Sequence, residues 1–164
     1  MTHRTIYLAG GCFWGLEQLF KEQPGVTDTE VGYTGGDNEN PDYNNHPGHA
    51  EALSITLDTE KTTYANILDF FFRVHNPTTL NRQGNDTGSS YRSAIFYQDE
   101  DELKTAQSII AMVNSSGLYD SPVVTALEPF TKFYSAEDYH QDYLQKNPGG
   151  YTCHFIRSDQ SLLH

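Results

Sequence analysis

One cysteine and its neighbours carry the strongest chemical signal in the chain. Gly10-Gly11-Cys12-Phe13-Trp14-Gly15 follows a strand-like run, Thr5-Ile6-Tyr7-Leu8-Ala9, and precedes a helix-like one, Leu16 to Gln23. Cys12 therefore falls at a strand-to-helix turn. A thiol there meets unpaired backbone N–H groups and the positive end of a helix dipole. Both favour the thiolate, which is the nucleophilic form of sulfur. Phe13 and Trp14, the only tryptophan, set two aromatic rings beside it. The plain alternative is a small buried hydrophobe, the commonest fate of a thiol. A phosphate-cradling loop is weakly supported, because no Lys-Ser/Thr follows Gly15 and no G-x-G-x-x-G pattern is present.

Other residues could complete a site. Cys153, the second of two cysteines, follows Pro148-Gly149-Gly150-Tyr151-Thr152. It reads equally as an inert tail thiol or as a resolving cysteine on a segment that its glycines let swing. Glu51 follows His46-Pro47-Gly48-His49-Ala50 and is flanked by apolar residues. Burial would raise its pKa and keep it protonated near neutrality, as a general acid requires. His46, His49 and Glu51 also resemble a ligand set, but H-x-x-H in a loop matches no standard zinc spacing, so no metal is expected. Asp86, Tyr91 and Arg92 lie near the turn-forming run Asn85-Asp86-Thr87-Gly88. His140, Tyr143 and Tyr151 form a tail group whose plain reading is packing.

These residues need elements to position them. Strands are expected at Arg4–Ala9, Thr27–Gly32, Leu53–Asp58, Ser93–Tyr97 and Val123–Pro129. In the third, Leu53, Ile55 and Leu57 alternate with Ser54 and Thr56. Helices are expected at Phe13–Gln23, Thr63–Val74, Glu100–Ser116 and Ala136–Leu144, with Asp99 and Ser135 as N-caps. The order β-α-β-β-α-β-α-β-α predicts an α/β (α+β) two-layer sandwich with a ferredoxin-like βαββαβ core and a mixed sheet. A doubly wound parallel sheet is the second choice, disfavoured by two adjacent strands. Long loops at Gly35–His49, Asn76–Ser90 and Asn147–His164 carry most of the polar candidates. Residues 1–164 read as a single catalytic domain, with 147–164 a mobile C-terminal tail.

Composition excludes several classes. The formal net charge of −12 opposes nucleic-acid or anionic-membrane binding. No segment approaches transmembrane length, and Ile6-Tyr7-Leu8-Ala9 is too short for the apolar core of a secretory signal. A soluble cytoplasmic monomer is expected.

Taken together, the segments resemble the peptide-methionine (S)-S-oxide reductase family, the A-type methionine sulfoxide reductases. The matching pieces are Gly11-Cys12-Phe13-Trp14-Gly15, Val31-Gly32-Tyr33-Thr34-Gly35-Gly36, Gly48-His49-Ala50-Glu51, Gly84-Asn85-Asp86, Tyr91-Arg92-Ser93 and Glu137-Asp138-Tyr139-His140-Gln141. Asn147-Pro148 and Gly150-Tyr151 close the match. The resemblance implies that Cys12 is the nucleophile, Glu51 the acid and Cys153 the resolving cysteine. It implies that Phe13 and Trp14 hold the substrate methyl group, and that Tyr33 and Tyr91 donate hydrogen bonds near the sulfoxide oxygen. Asp86 would support the site, with His140, Tyr143 and Tyr151 behind it. The implied substrates are oxidised proteins and free methionine sulfoxide, and the implied reductant is thioredoxin, with no cofactor. Many family members place a cysteine directly after the tyrosine of Gly-Tyr, whereas Thr152 intervenes here.

Two other function classes fit part of the pattern. A peroxide-reducing thiol enzyme or redox sensor would use both cysteines but has little need of Glu51 or the aromatic pair. A metal-binding regulator would use Cys12, His46, His49 and Glu51.

Overall fold

A computed structural model describes residues 2–152 and 154–163. Among these residues eight strands form: β1 (His3–Gly10), β2 (Val26–Thr34), β3 (Ala50–Asp58), β4 (Arg82–Gln83), β5 (Asp86–Thr87), β6 (Ser93–Tyr97), β7 (Ala126–Pro129) and β8 (Phe133–Ser135). The helices are α1 (Phe13–Lys21), α2 (Tyr64–Val74), α3 (Glu100–Ser116) and the short α4 (Tyr143–Lys146). One six-stranded sheet has the order β7-β6-β1-β3-β2-β8. Its central run β6-β1-β3-β2 is the strand order of a βαββαβ ferredoxin-like core, and α1 and α2 are the two crossovers. Only β6 and β7 pair in parallel, which makes the sheet mixed. The expected fold class is borne out.

Period-two alternation decides which residues face the helices. Ile6 and Leu8 of β1, Val31 and Tyr33 of β2, and Leu53, Ile55 and Leu57 of β3 join the main core with Phe13, Leu16 and Phe20 of α1. Phe71 and Phe72 of α2 complete its centre. Glu51 keeps the same parity as Leu53, so it too points to the helix side. The opposite face is built from Ala9, Ala50, Ala52, Ala94 and Phe96, against which Tyr7, Phe130 and Phe133 pack. The small alanines let these rings lie close, and Tyr7 stacks on Phe130 at 4.0 Å.

Local signals hold for the first three helices. Thr63 caps α2 by accepting from Asn66 N–H, and Asp99 caps α3 by accepting from Glu102 N–H at 2.8 Å. Gly117 ends α3 in the left-handed region, as its lack of a Cβ permits. The helix expected over Ala136–Leu144 is not formed. Ser135 ends β8 instead of capping a helix, and Asp138–His140 make a single 3-10 turn before α4. Tertiary bonds win there. The Gln141 side chain accepts from Val31 N–H and donates to Val31 C=O, both at 2.9 Å, so it extends the β2 edge like another strand. Asp142 then adopts φ 56°, which breaks helical continuity. No described helix is long and apolar enough to cross a membrane.

Candidate active site

Cys12 occupies the N-cap position of α1, where the strand-to-helix turn was expected. Gly11 makes the turn with φ +95°, and a side chain there would strike Gln83 Cγ at 2.6 Å. Cys12 is 7% exposed. The first helical N–H, that of Phe13, has no partner within the helix and donates to Glu51 Oε1 at 3.2 Å. Strand β3 thus delivers a carboxyl group to the helix end that bears the thiol. Glu51 is 1% exposed. Burial pushes its pKa up to about 8; the Phe13 hydrogen bond opposes the shift, and the Asp86 charge adds to it. Glu51 is therefore mostly a neutral acid at pH 7, as its flanking residues predicted.

Aromatic rings surround this pair. Trp14 Nε1 donates to His140 Nδ1 at 2.9 Å, which fixes the His140 proton on Nε2. Burial holds the His140 pKa below the usual range, so the ring is a neutral acceptor, although the Glu137 charge opposes the shift. Trp14 stacks on Tyr143 at 3.8 Å and 11°, and it lies parallel to Tyr43 at 6.5 Å. Phe13 is fully buried in the main core and touches Tyr33 and His140 at 5.7 and 5.2 Å between centroids.

The phenols have distinct partners. Tyr33 stands directly opposite Glu51 in the β2–β3 ladder. Its hydroxyl donates to Glu137 Oε1 at 3.0 Å, and Glu137 Oε2 accepts from Tyr43 N–H at 3.1 Å. Burial acts to raise the Glu137 pKa. Its own N–H, that of Tyr43 and the Tyr33 hydroxyl overcome this and hold it below the ordinary value, so Glu137 is ionised at neutral pH. Tyr91 ends the 3-10 turn Ser89–Tyr91. Burial, then the charges of Glu51, Tyr43, Asp86 and Cys12, push its pKa well up and keep it a proton donor. Tyr43 is raised by burial and by the Glu51, Cys12 and Asp86 charges, while a hydrogen bond with Tyr91 works the other way. The charges of Glu51, Asp86 and Cys12 act on both hydroxyls. Asp86 accepts from Tyr151 Oη at 3.3 Å.

Three comparisons with known proteins bear on this arrangement. The family model for peptide methionine sulfoxide reductase matches residues 4–162. The chain belongs to the peptide methionine sulfoxide reductase family. A Mycobacterium sp. (strain JLS) peptide methionine sulfoxide reductase MsrA is 56% identical over 160 residues, covering 98% of this chain and 94% of the relative. Mxr1 from Saccharomyces cerevisiae in reduced form superposes with a TM-score of 0.89 at 35% identity, covering 95% of this chain and 93% of that one. Mxr1 in complex with Trx2 superposes with a TM-score of 0.66 at 26% identity, covering 95% and 91%. The resemblance read from the motifs is borne out, and with it the enzyme class.

In this reductase the structure gathers Cys12, Phe13, Trp14, Tyr33, Glu51, Asp86, Tyr91, His140, Tyr143 and Tyr151 around the start of α1. Cys153 lies outside the described residues. The histidines have hydrogen-bonding roles. His49 Nδ1 accepts from Gly36 N–H at 3.1 Å while Nε2 donates to Asn38 C=O at 2.9 Å, leaving no lone pair for a metal. His46 bonds Asp42 C=O and Ser90 Oγ, each at 2.8 Å, and stacks on Tyr33. Sequence reasoning gave no role to Tyr43, or to Glu137 beyond its place in a matching motif. Tyr43 follows a Pro41-Asp42 turn in a long loop, which is the one signal that could have flagged it.

Proposed function

We propose that this chain reduces the S epimer of methionine sulfoxide, in proteins and as the free amino acid, by a thiol and disulfide cycle that repairs oxidative damage. Cys12 thiolate attacks the substrate sulfur while Glu51 gives its proton to the oxygen. The substrate gains two electrons and leaves as methionine, and Cys12 becomes a sulfenic acid. Tyr91 donates to the oxygen as charge develops there, and Tyr33 joins it by exchanging its bond to Glu137. Trp14, held by His140 and Tyr143, forms with Phe13 the wall for the methyl group, and Asp86 and Tyr151 support the opposite side.

Cys153 thiol then attacks the Cys12 sulfenic acid. A disulfide forms and water leaves. Thioredoxin restores both thiols by exchange, a step supported by the structural neighbour solved in complex with Trx2. All electrons come from thiols, so the cycle needs neither metal nor organic cofactor. The reading treats residues 1–164 as one catalytic domain, monomeric and cytoplasmic, with residues 147–164 bringing Cys153 to Cys12.

The observation that carries this function is a buried carboxyl group, that of Glu51, seated at the same helix end as the thiol. A peroxide-reducing enzyme has less need of such an acid, because the O–O bond of a peroxide is far weaker than the S–O bond of a sulfoxide. Assay with each pure methionine sulfoxide epimer and a thioredoxin system tests the proposal. Turnover of the S epimer is expected, and turnover of neither would end it.

A further inference from the structure

One buried histidine has no part in the chemistry above. His154 is 7% exposed, although it belongs to the C-terminal segment. Its Nε2 donates to Gly10 C=O at 2.6 Å. Its Nδ1 is buried and has no hydrogen-bond partner among the described residues. The imidazole fills a slot that glycines leave open. A methyl group on Gly15 would lie 2.6 Å from His154 Nδ1 and would also strike Thr152 Oγ1; one on Gly11 would lie 3.3 Å from His154 Nε2. Thr152 Oγ1 in turn accepts from His154 N–H at 3.1 Å.

These contacts bracket the nucleophile. Gly10 precedes Cys12 by two residues, and Gly15 follows it within the first turn of α1, about 4.5 Å of rise away. Further along, the segment is fastened to α2 instead. Arg157 N–H donates to Arg73 C=O at 2.7 Å, and Leu162 N–H to Asp69 Oδ1 at 2.6 Å. His154 thus ties the C-terminal segment to the Cys12 turn through a side-chain hydrogen bond, separately from the segment's α2 attachment.

We propose that His154 is a positioning residue for the resolving step: its imidazole, docked in the Gly10-Gly11-Gly15 slot, sets the rate at which the Cys12 sulfenic acid is converted to a disulfide. The inference rests on the reading of Cys153 as the resolving cysteine. The role assigned to His154 is positional. It acts by holding the residues on either side of position 153, and a loss of such positioning slows a step by about ten- to a hundredfold.

The test separates the two half-reactions. His154→Ala should form methionine in the first turnover at the unchanged rate. Its Cys12 sulfenic acid, trapped with dimedone, should persist about ten- to a hundredfold longer, and thioredoxin-dependent turnover should fall in proportion. His154→Gln, whose amide nitrogen can reach Gly10 C=O, should recover part of the resolving rate. Gly15→Ala, a change that favours helix in α1, should displace the imidazole and reproduce the slow step. Resolution at the wild-type rate in His154→Ala would overturn the proposal. So would a slowed first turnover, which would assign His154 to the Cys12 turn itself, or equal defects in the Ala and Gln variants. Cys153→Ser is the control for the underlying reading. Normal cycling of that variant removes the resolver itself, whereas arrest of Cys153→Ser with normal resolution in His154→Ala removes only the anchor.

Discussion

Glu51→Gln isolates the acid from the rest of the site. Glutamine keeps the shape and can still accept from Phe13 N–H, but it has no proton to give. The Glu51 pKa of about 8 against an ordinary 4.5 corresponds to about 5 kcal/mol of penalty on the buried carboxylate. Two consequences follow. In catalysis, loss of a general acid costs about 10²- to 10⁴-fold, or about 3–5 kcal/mol in barrier. The first-turnover rate of the wild type should also fall as pH rises through about 8, and the variant should lack that descending limb. In stability, the folded state holds the Glu51 proton more tightly than the unfolded chain does. Stability is therefore full below about pH 4.5 and given up as pH rises through about 8. Glu51→Gln should accordingly be more stable than wild type at pH 9, by up to about 5 kcal/mol, and indistinguishable from it near pH 4. Rapid-quench measurement of methionine formation and urea midpoints across pH check both parts. A first-turnover rate within threefold of wild type, or a descending limb that survives the substitution, would refute the assignment of Glu51 as the acid.

Other perturbations reach different parts of the account. His140→Ala leaves the half-buried Trp14 N–H without its partner and should cost about 1–3 kcal/mol, with KM rising more than kcat falls; an unchanged KM would contradict the role of His140 in holding the methyl wall. Burial lowers His75 to about 3 and His154 to about 4, so the unfolded chain takes up these protons first. Stability should therefore fall as pH drops from about 6.5, by on the order of 3 kcal/mol for His154, and the difference between wild type and His154→Gln should appear in urea midpoints below that pH. Gly36→Ala would drive a methyl into the His49 backbone nitrogen and ring. It should destabilise by about 1–3 kcal/mol in thermal melts, and a neutral effect would mean that the loop yields.

Much of this architecture could be read from residue patterns, because local rules and tertiary demands agree. Leu53, Ile55 and Leu57 alternate, and the same parity carries Glu51 onto the helix side. Asp99 and Gly117 mark α3 at both ends through chemistry that needs no distant partner. The reading failed where a distant partner decides. The spacing of His140 and Tyr143 imitates a helix, yet the Gln141 amide satisfies the edge of β2 and the backbone turns at Asp142. Glu137 was visible as part of a motif, but its function as a clamp on Tyr33 and Tyr43 arises only when segments 94 or more positions apart meet. Tyr43 joins the site for the same reason. The strand β8 is three residues long and pairs with a β2 that lies about 100 positions earlier, so no periodicity announces it.

The central claim is that Cys12 is the atom that takes the oxygen from methionine S-sulfoxide. Mass spectrometry of the Cys153→Ser variant after mixing with the pure S epimer, without reductant, tests it most directly. One methionine formed per protein and a single dimedone-trapped sulfenic acid on Cys12 are expected. Methionine formed with no label on Cys12, or label formed equally with the R epimer, would contradict it.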